Sequence, residues 1–203
     1  MEYRIRQFSN IKGLISLGGL SECGKSEAGI YLKNKGYARL KIIDFEHQVM
    51  RMNGYDLSNG IRPEHYDKLY EFDAESSINV FLNLISNHLK IIDVNYAVLE
   101  SMYRSKMATY LKELLGDRMV NVYVKAPLHS RVTRQCLKKH GSLNNYDLVM
   151  NRVKEKDNFK RKIGVESLEN IADYIIDNSI SKEDYLKEID NIAGELMQKG
   201  GCK

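Results

Sequence analysis

The sequence lacks the features that mark secreted, membrane-spanning and zinc-binding proteins. Its 203 residues contain three cysteines, widely spaced and without a Cys-x-x-Cys pair, so neither a disulfide framework nor a zinc site is indicated. No run of about 18 apolar residues occurs, and the first ten residues lack the apolar core of a signal peptide. We therefore expect no membrane span and a location in the reducing cytoplasm.

Proline and excess charge are also scarce. The two prolines, Pro63 and Pro127, impose few breaks on regular structure. The net charge is +4, with 31 Lys and Arg against 27 Asp and Glu. This small excess suits small anionic ligands and falls well short of the charge typical of nucleic-acid-binding proteins, so we expect no nucleic-acid partner. The length and the hydrophobic content of 43% predict a single α/β domain.

Five short apolar runs are typical of buried strands, and amphipathic helical stretches separate them. The runs are Gly13–Leu17, Ala38–Ile43, Asn95–Glu100, Val120–Ala126 and Asp173–Asp177. Strands that alternate with helices predict a five-stranded parallel sheet between helical layers, a three-layer α/β/α fold. Ligands of such sheets bind at the carboxyl ends of the strands.

A phosphate-binding motif follows the first predicted strand. Gly19, Gly24, Lys25 and Ser26 match G-x-x-x-x-G-K-[ST], and a predicted helix, 26–35, comes next. In this motif the backbone N–H groups surround phosphate oxygens, the lysine reaches the β- and γ-phosphates, and the hydroxyl binds Mg²⁺. The predicted nucleotide-binding residues here are Gly19, Leu20, Ser21, Glu22, Cys23, Gly24, Lys25, Ser26 and Glu27.

Two residues of this phosphate loop, residues 19–26, are unusual. Glu22 would repel a triphosphate, so we expect its side chain to point outward unless the loop is adapted to another ligand. Cys23 lies close to a helix N-terminus, which favours a reactive thiolate. A small residue that fills the turn is the simpler interpretation of Cys23.

Acidic residues at the ends of two other predicted strands are candidates for the metal side of the site. Glu100 ends the run 95–100, where phosphate-loop enzymes place an acid that holds magnesium through water. Asp93 is the alternative, although it precedes that run. Asp44 follows the apolar residues of the second run, so Asp44 and Glu100 are expected to face the phosphate loop together.

Phosphoryl transfer also needs positive charge around the transferred group. Arg104 follows the third strand, and Arg131 and Arg134 lie three residues apart, on one face of a predicted helix. Their planar guanidinium groups match phosphate oxygens better than lysine does. Most lysines of the basic run 152–162 are expected on a solvated helix face.

Taken in order along the chain, these segments resemble the nucleoside monophosphate kinase superfamily. The phosphate loop is followed by "KIIDFEHQVM", a helical insert, "VLESMYRS", "VNVYVKAPLHSRVTR", a basic segment and "ADYIIDN". The similarity is greatest to the dephospho-coenzyme A kinase and archaeal-type (deoxy)nucleotide kinase branches. It implies a P-loop kinase with a core of 11–43, 93–135 and 163–203, an acceptor-binding insert of about 44–92 and a lid of about 136–162.

The resemblance also implies roles for individual residues. Lys25 and Ser26 would hold ATP and Mg²⁺, and Asp44 would lie near the acceptor hydroxyl or phosphate. Arg104 would grip the acceptor, while Arg131 and Arg134 would clamp ATP from the lid. The implied catalytic residues are Lys25, Asp44, Arg104 and Arg131, and the metal ligands are Ser26 and Glu100.

The insert leaves the acceptor open. Its Arg51, Arg62, His65, Tyr66 and Tyr70 could stack on a base and pair with a phosphate, or pack as an ordinary amphipathic helical pair.

The favoured function is transfer of the γ-phosphate of ATP to a nucleotide-like acceptor. A (deoxy)nucleoside monophosphate is preferred to dephospho-coenzyme A, although Glu100–Ser101, in place of the Asp-Gly of the family, and the long insert fit neither branch cleanly. Glu22 and Glu100 also leave open a non-catalytic nucleotide-binding regulator. The sequence leaves a homodimer open.

Overall fold

A computed structural model describes residues 8–60, 63–71, 74–179 and 181–201. Five parallel strands form the central sheet of the fold. The sheet order is β2-β3-β1-β4-β5. The strands are β1 Gly13–Gly18, β2 Ala38–Lys41, β3 Tyr96–Met102, β4 Met119–Lys125 and β5 Tyr174–Asp177. The predicted parallel sheet is confirmed, and the central strand β1 leads directly into the phosphate loop.

Helices cover both faces of this sheet, as predicted. They are α1 Lys25–Asn34, α2 Ile42–Met52, α3 Pro63–Glu71, α4 Ala74–Ile91, α5 Ser105–Leu115, α6 Leu128–His140, α7 Tyr146–Lys162 and α8 Lys182–Gly201. Short 3₁₀ helices span Gly116–Arg118 and Val165–Ile171. Within the described ranges, no helix is long and apolar enough to cross a membrane.

Alternate strand residues belong to two separate cores, because successive side chains of a strand point to opposite faces. Leu14 of β1 packs with the helices of the insert and α5, whereas Ile15 and Leu17 pack with α1 and α8. A third, small core joins α6 to α7 through Val132, Cys136, Val149 and Val153. These two helices therefore form a hairpin with its own apolar contact.

One strand boundary differs from the prediction and moves a candidate site residue. The second strand ends at Lys41, and the run 42–52 forms α2. Buried Ile42, Phe45 and Val49 follow helical spacing, and this periodicity outweighs the local preference of two isoleucines for a strand. The placement of Asp44 at the carboxyl end of a strand was therefore wrong, since Asp44 lies in the first turn of α2.

A bulge interrupts the pairing of β1 with β3 beside the phosphate loop. Leu17 pairs with Glu100 and Gly18 with Met102, which leaves Ser101 as the extra residue. Ser101 has φ of 69°, a left-handed conformation that glycine adopts more readily. The bulge turns the end of β3 at the edge of the sheet where ligands of this fold class bind.

Candidate functional site

A cavity of about 770 Å³ lies at the carboxyl ends of the strands. The phosphate loop, the end of β3, the start of α2 and one face of α7 line it. It continues from Lys25 to Tyr66 and Tyr103, so both regions open into the same space. Of the predicted nucleotide-binding loop residues, all but Leu20 are in its wall.

The two glycines of the motif are required by the close packing of the phosphate loop. Gly19 has φ of 129°, and a Cβ atom there would lie 2.3 Å from the carbonyl oxygen of Val124. Gly24 has φ of 116°, and a Cβ atom there would lie 2.2 Å from the side-chain nitrogen of Asn178. A side chain at Gly19 would collide with β4, and one at Gly24 would collide with the loop after β5.

Lys25 is buried inside the curve of the loop. Its Nζ donates hydrogen bonds to the carbonyl oxygens of Gly19 at 2.9 Å and Leu20 at 2.6 Å. It lies 3.2 Å from Cys23 Sγ, which is also buried. The loop thus holds the ammonium group in place before any phosphate binds, which lowers the cost of ordering it on binding.

Ser26 and Glu100 meet directly beneath the loop. Ser26 Oγ donates to Glu100 Oε2 at 3.1 Å, and Arg39 binds both carboxylate oxygens of Glu100. Gly29 makes room for this carboxylate, since a Cβ atom there would lie 1.9 Å from Glu100 Oε1. Arg39 and Gly29 have no signal in the sequence, because their importance depends on a partner in a distant strand.

The residues present fit a magnesium ion. A hydroxyl and a carboxylate supply the oxygen ligands that Mg²⁺ prefers, and this ion takes the rest of its shell from water and substrate phosphate. Within the described ranges, no three His, Cys, Asp or Glu side chains gather as a metal site. Ser26 lines the cavity and Glu100, 2% exposed, lies behind it, and these two stay the predicted residues that would hold the ion.

Glu22 does not simply point into solvent. Its side chain is 29% exposed, it lines the cavity, and its carboxylate lies 3.8 Å from Lys156 Nζ of α7. Its φ of 60° is left-handed. The negative charge that was expected to be directed outward thus faces a lysine across the cavity mouth, which reduces its repulsion of an anion.

Arg131 is buried next to the loop instead of in the cavity wall. It donates to the carbonyl oxygen of Ser21 and to Asp157 Oδ2, both at 2.7 Å, while Asp157 Oδ1 accepts from the Ser21 N–H at 2.8 Å. Both charged side chains are at most 3% exposed. Arg131 and Asp157 therefore fasten the α6–α7 hairpin to the phosphate loop.

Two further side chains, one from the loop after β5 and one from α8, support the phosphate loop. Asn178 donates from its side chain to the Cys23 carbonyl oxygen at 2.9 Å, and the Tyr185 hydroxyl donates to the Gly24 carbonyl oxygen at 3.1 Å. Arg134, a predicted nucleotide contact, lines the cavity and donates to the Asn178 carbonyl oxygen at 2.6 Å. Burial raises the pKa of the Tyr185 phenol, so it remains a donor.

Lysine side chains of α7 also reach the cavity. Lys156 and Lys160 lie in its wall, although the basic run was expected on a solvated face. Burial, and next the charge of Lys25, lower the pKa of Lys160 to about 7. The sequence contained one signal for this placement. Helical spacing puts Lys160 on the same face as the buried residues Val149, Val153 and Asp157.

The other end of the cavity is mostly apolar and aromatic. Ile42, Ile43, Tyr66, Met102 and Tyr103 line it. Burial, with a smaller effect of Glu46, raises the pKa of Tyr66 to about 12.

A buried polar pair lies beneath this wall. The Tyr103 hydroxyl donates to Glu46, a side chain with no exposed surface. The ring of Tyr66 lies edge-on to that of Tyr103, with centroids 5.6 Å apart. This ring packing explains the burial of Tyr66, and the same ring also lines the cavity.

Several predicted acceptor residues lie outside the cavity wall. Arg104 pairs with Asp67 of α3 at 2.6 Å. Asp44 lines a separate cavity of about 410 Å³, together with Arg39, Lys41 and His88. Arg62 falls outside the described residues, as does the side chain of Tyr70.

Comparisons with known proteins extend the description of the fold. No known family model matches the chain, and no curated protein is significantly similar to it in sequence. A sugar kinase from a Janibacter species is 12% identical over 92% of this chain and 97% of its own, with a TM-score of 0.51.

Two further solved structures have lower scores. A gluconokinase from Sinorhizobium meliloti is 12% identical over 94% of this chain and 95% of its own, with a TM-score of 0.49. A dephospho-CoA kinase from Campylobacter jejuni is 17% identical over 91% and 97%, with a TM-score of 0.45. These comparisons single out no branch. The similarity to the Janibacter protein and the parallel sheet with its phosphate loop show that this chain has the fold of the P-loop kinases.

Proposed function

We propose that the chain is an ATP-dependent phosphotransferase acting on a small nucleotide-like acceptor, with a (deoxy)nucleoside monophosphate as the preferred substrate. The observation that carries the proposal is the continuity of the cavity. A phosphate loop with a preplaced lysine lies at one end, and an aromatic recess lies at the other. Donor and acceptor can therefore lie side by side in one cavity, as phosphoryl transfer requires.

Positioning and charge neutralisation supply the catalysis in this proposal. Lys25 exchanges its carbonyl partners for the β- and γ-phosphate oxygens, and the N-terminus of α1 adds its dipole. Arg134 contacts the nucleotide from the cavity wall. Arg131 serves as a positioning residue, because it acts through Ser21 and Asp157.

Magnesium, held by Ser26 and Glu100, would neutralise charge on the phosphate oxygens. Arg39 keeps the Glu100 carboxylate in the position that Ser26 contacts. Side chains that hold a metal ligand in place are needed for tight binding almost as much as the ligand itself. The chain thus contributes both the ligands and the residues that orient them.

The acceptor is proposed to bind against Tyr66 and Tyr103. A base can stack on an aromatic ring, and the apolar side chains of Ile42 and Ile43 exclude water from the transferred group. Arg104 is outside the cavity wall, but its guanidinium lies 5.9 Å from the centre of the Tyr103 ring, and it would exchange the half-exposed Asp67 for an acceptor phosphate. Asp44 is left out of the proposal because it lines the separate cavity.

A non-catalytic nucleotide-binding regulator is the second candidate. Glu22 favours it, because a carboxylate in the cavity wall repels a polyphosphate in addition to pairing with Lys156. This function predicts ATP binding without any acceptor-dependent release of ADP.

ADP release by the purified protein with ATP and Mg²⁺ separates the two candidates. The acceptors are the ribo- and deoxynucleoside monophosphates and dephospho-coenzyme A, and ATP binding is measured in parallel. Stimulation by a nucleoside monophosphate supports the proposal, and stimulation by dephospho-coenzyme A alone moves the acceptor to that class. ATP binding with no stimulation favours the regulator, and the absence of ATP binding refutes both.

A further inference from the structure

Lys160 is held in a fixed relation to the phosphate loop. It lies on α7 one turn after Asp157, whose carboxylate accepts from the Ser21 N–H at 2.8 Å and from Arg131 at 2.7 Å. Val153 and Val149, one and two turns before Asp157, are buried against α6. The helix is therefore anchored at this level, and the Lys160 side chain enters the same cavity as Lys25.

The charges around Lys160 do not balance. From the phosphate loop, Lys25 faces it with the same charge, while Glu22 and Cys23 favour its charged form, as does Asp157 of its own helix. Glu22 also pairs with Lys156, and Asp157 with Arg131. Burial and Lys25 outweigh these effects and bring the pKa of Lys160 to about 7. Lys160 is half-buried and lines the same cavity as the buried Lys25, so a second ammonium group there becomes favourable when an anion lies between the two.

The buried arginine of this hairpin, Arg131, is engaged elsewhere. Arg131 donates to Ala126, Ser21 and Asp157, and it is 3% exposed. A polyphosphate on the loop therefore meets the cavity-lining cations of α6 and α7 instead. Of these, Lys160 is the least exposed, since Arg134, Lys138 and Lys156 are exposed whereas Lys160 is half-buried in the cavity wall.

We propose that Lys160 binds the terminal phosphate of the nucleotide and takes up a proton as it does so. The inference rests on the proposed function, because it needs a nucleotide on the phosphate loop. The protonated side chain is the binding form, so affinity is greatest below pH 7 and falls as the pH rises above the pKa of the free protein. Near pH 8.5 most binding events then include proton uptake.

The proposal is tested by titration calorimetry with a non-hydrolysable ATP analogue and Mg²⁺, and separately with ADP and Mg²⁺, at pH 6.5. Lys160→Met should weaken binding of the analogue about tenfold or more, the value of a charge-assisted hydrogen bond. Binding of ADP should change less than about threefold, because ADP lacks the terminal phosphate. Lys160→Arg should restore the affinity, and Lys154→Met, an exposed lysine of the same helix, is the charge-matched control.

Proton uptake provides a readout that a structural role would not change. Titrations at pH 8.5 in two buffers of different ionisation enthalpy should give nearly one proton per nucleotide for the wild type. Lys160→Arg should give none, because arginine stays charged.

The possible failures are distinguishable. If the wild type binds neither nucleotide, the proposed function fails. If it binds the analogue, and Lys160→Met binds it as tightly, this inference alone fails. Wild-type binding without proton uptake at pH 8.5 also overturns it. A lowered melting temperature of Lys160→Met with unchanged affinity assigns the residue to packing and refutes the phosphate contact.

Discussion

The two ends of the cavity are built in different ways. At the phosphate end, side chains from α7, α8 and the loop after β5 hold backbone groups of the phosphate loop through directed hydrogen bonds. At the other end, isoleucine and tyrosine side chains form a wall with one buried polar pair. Hydrogen bonds specify geometry, whereas apolar contact specifies mainly size and shape. Substitutions at the two ends should therefore affect different kinetic constants.

Lys25→Ala should have the largest effect on activity, because it removes the buried cation of the phosphate end. The acceptor end should be unchanged. Loss of a buried cation at the transferred group lowers kcat/KM by about a thousandfold. Lys33→Ala, an exposed lysine on the same helix, is the control. Circular dichroism should be unchanged, and near-normal turnover by Lys25→Ala would refute the role of the loop.

Gly29→Ala should disturb the same end indirectly. Its methyl group would occupy the position of Glu100 Oε1, and shifts of residues that orient metal ligands weaken metal binding about 10- to 100-fold. The measurement is Mg²⁺ dependence of nucleotide binding, together with the free energy of unfolding.

Two variants sharpen this prediction. Gly194→Ala, in a helix with open space around it, should instead stabilise the protein by about 0.5–1 kcal/mol. Glu100→Asp shortens the side chain and should recover part of the loss when combined with Gly29→Ala. If Gly29→Ala is as favourable as Gly194→Ala, the fit between Gly29 and Glu100 is wrong.

Tyr103→Phe tests the acceptor end. It removes the hydroxyl that donates to the buried Glu46, which should lower the free energy of unfolding by about 1–3 kcal/mol. The KM for the acceptor should rise several-fold and that for ATP should stay constant. Tyr110→Phe, on α5, controls for loss of a hydroxyl, and equal changes in both KM values would show that the two ends are not separable.

Ser101→Gly should have the smallest effect. The bulge holds Ser101 at φ of 69°, and release of left-handed strain should raise the free energy of unfolding by up to about 1 kcal/mol. Ser101→Ala keeps the strain and serves as the control in the same denaturation experiment. A loss of acceptor affinity in both variants would instead give the hydroxyl a binding role.

The phosphate end could be predicted from the sequence because the residues of its motif are close together in the chain. A strand, a spaced glycine motif and a helix follow one another within about twenty residues, and the sheet follows from alternating periodicities. The side-chain contacts that hold the loop from distant parts of the chain could not be predicted. Asp157 and Ser21 lie 136 positions apart. Helical spacing places Asp157 on the face of Val149 and Val153, but no local pattern shows that this face meets the phosphate loop.

Asp44 and Lys160 show the same limit from opposite directions. Two isoleucines before Asp44 extended a strand that ends earlier, so its expected place was wrong. Lys160 was grouped with solvated lysines, because helical spacing predicts a face but not what that face meets. The assigned roles of the site residues, the homodimer and the cytoplasmic location stay predictions.

Asp157 has a further consequence through its contact with the Ser21 amide. That N–H is protected from exchange with solvent as long as the carboxylate accepts from it, so its deuterium uptake reports each separation of the α6–α7 hairpin from the loop. Arg131 donates to the carbonyl oxygen of the same Ser21, so any separation of the hairpin from the loop breaks both contacts. A single backbone hydrogen can thus report how often the α6–α7 hairpin leaves the phosphate loop.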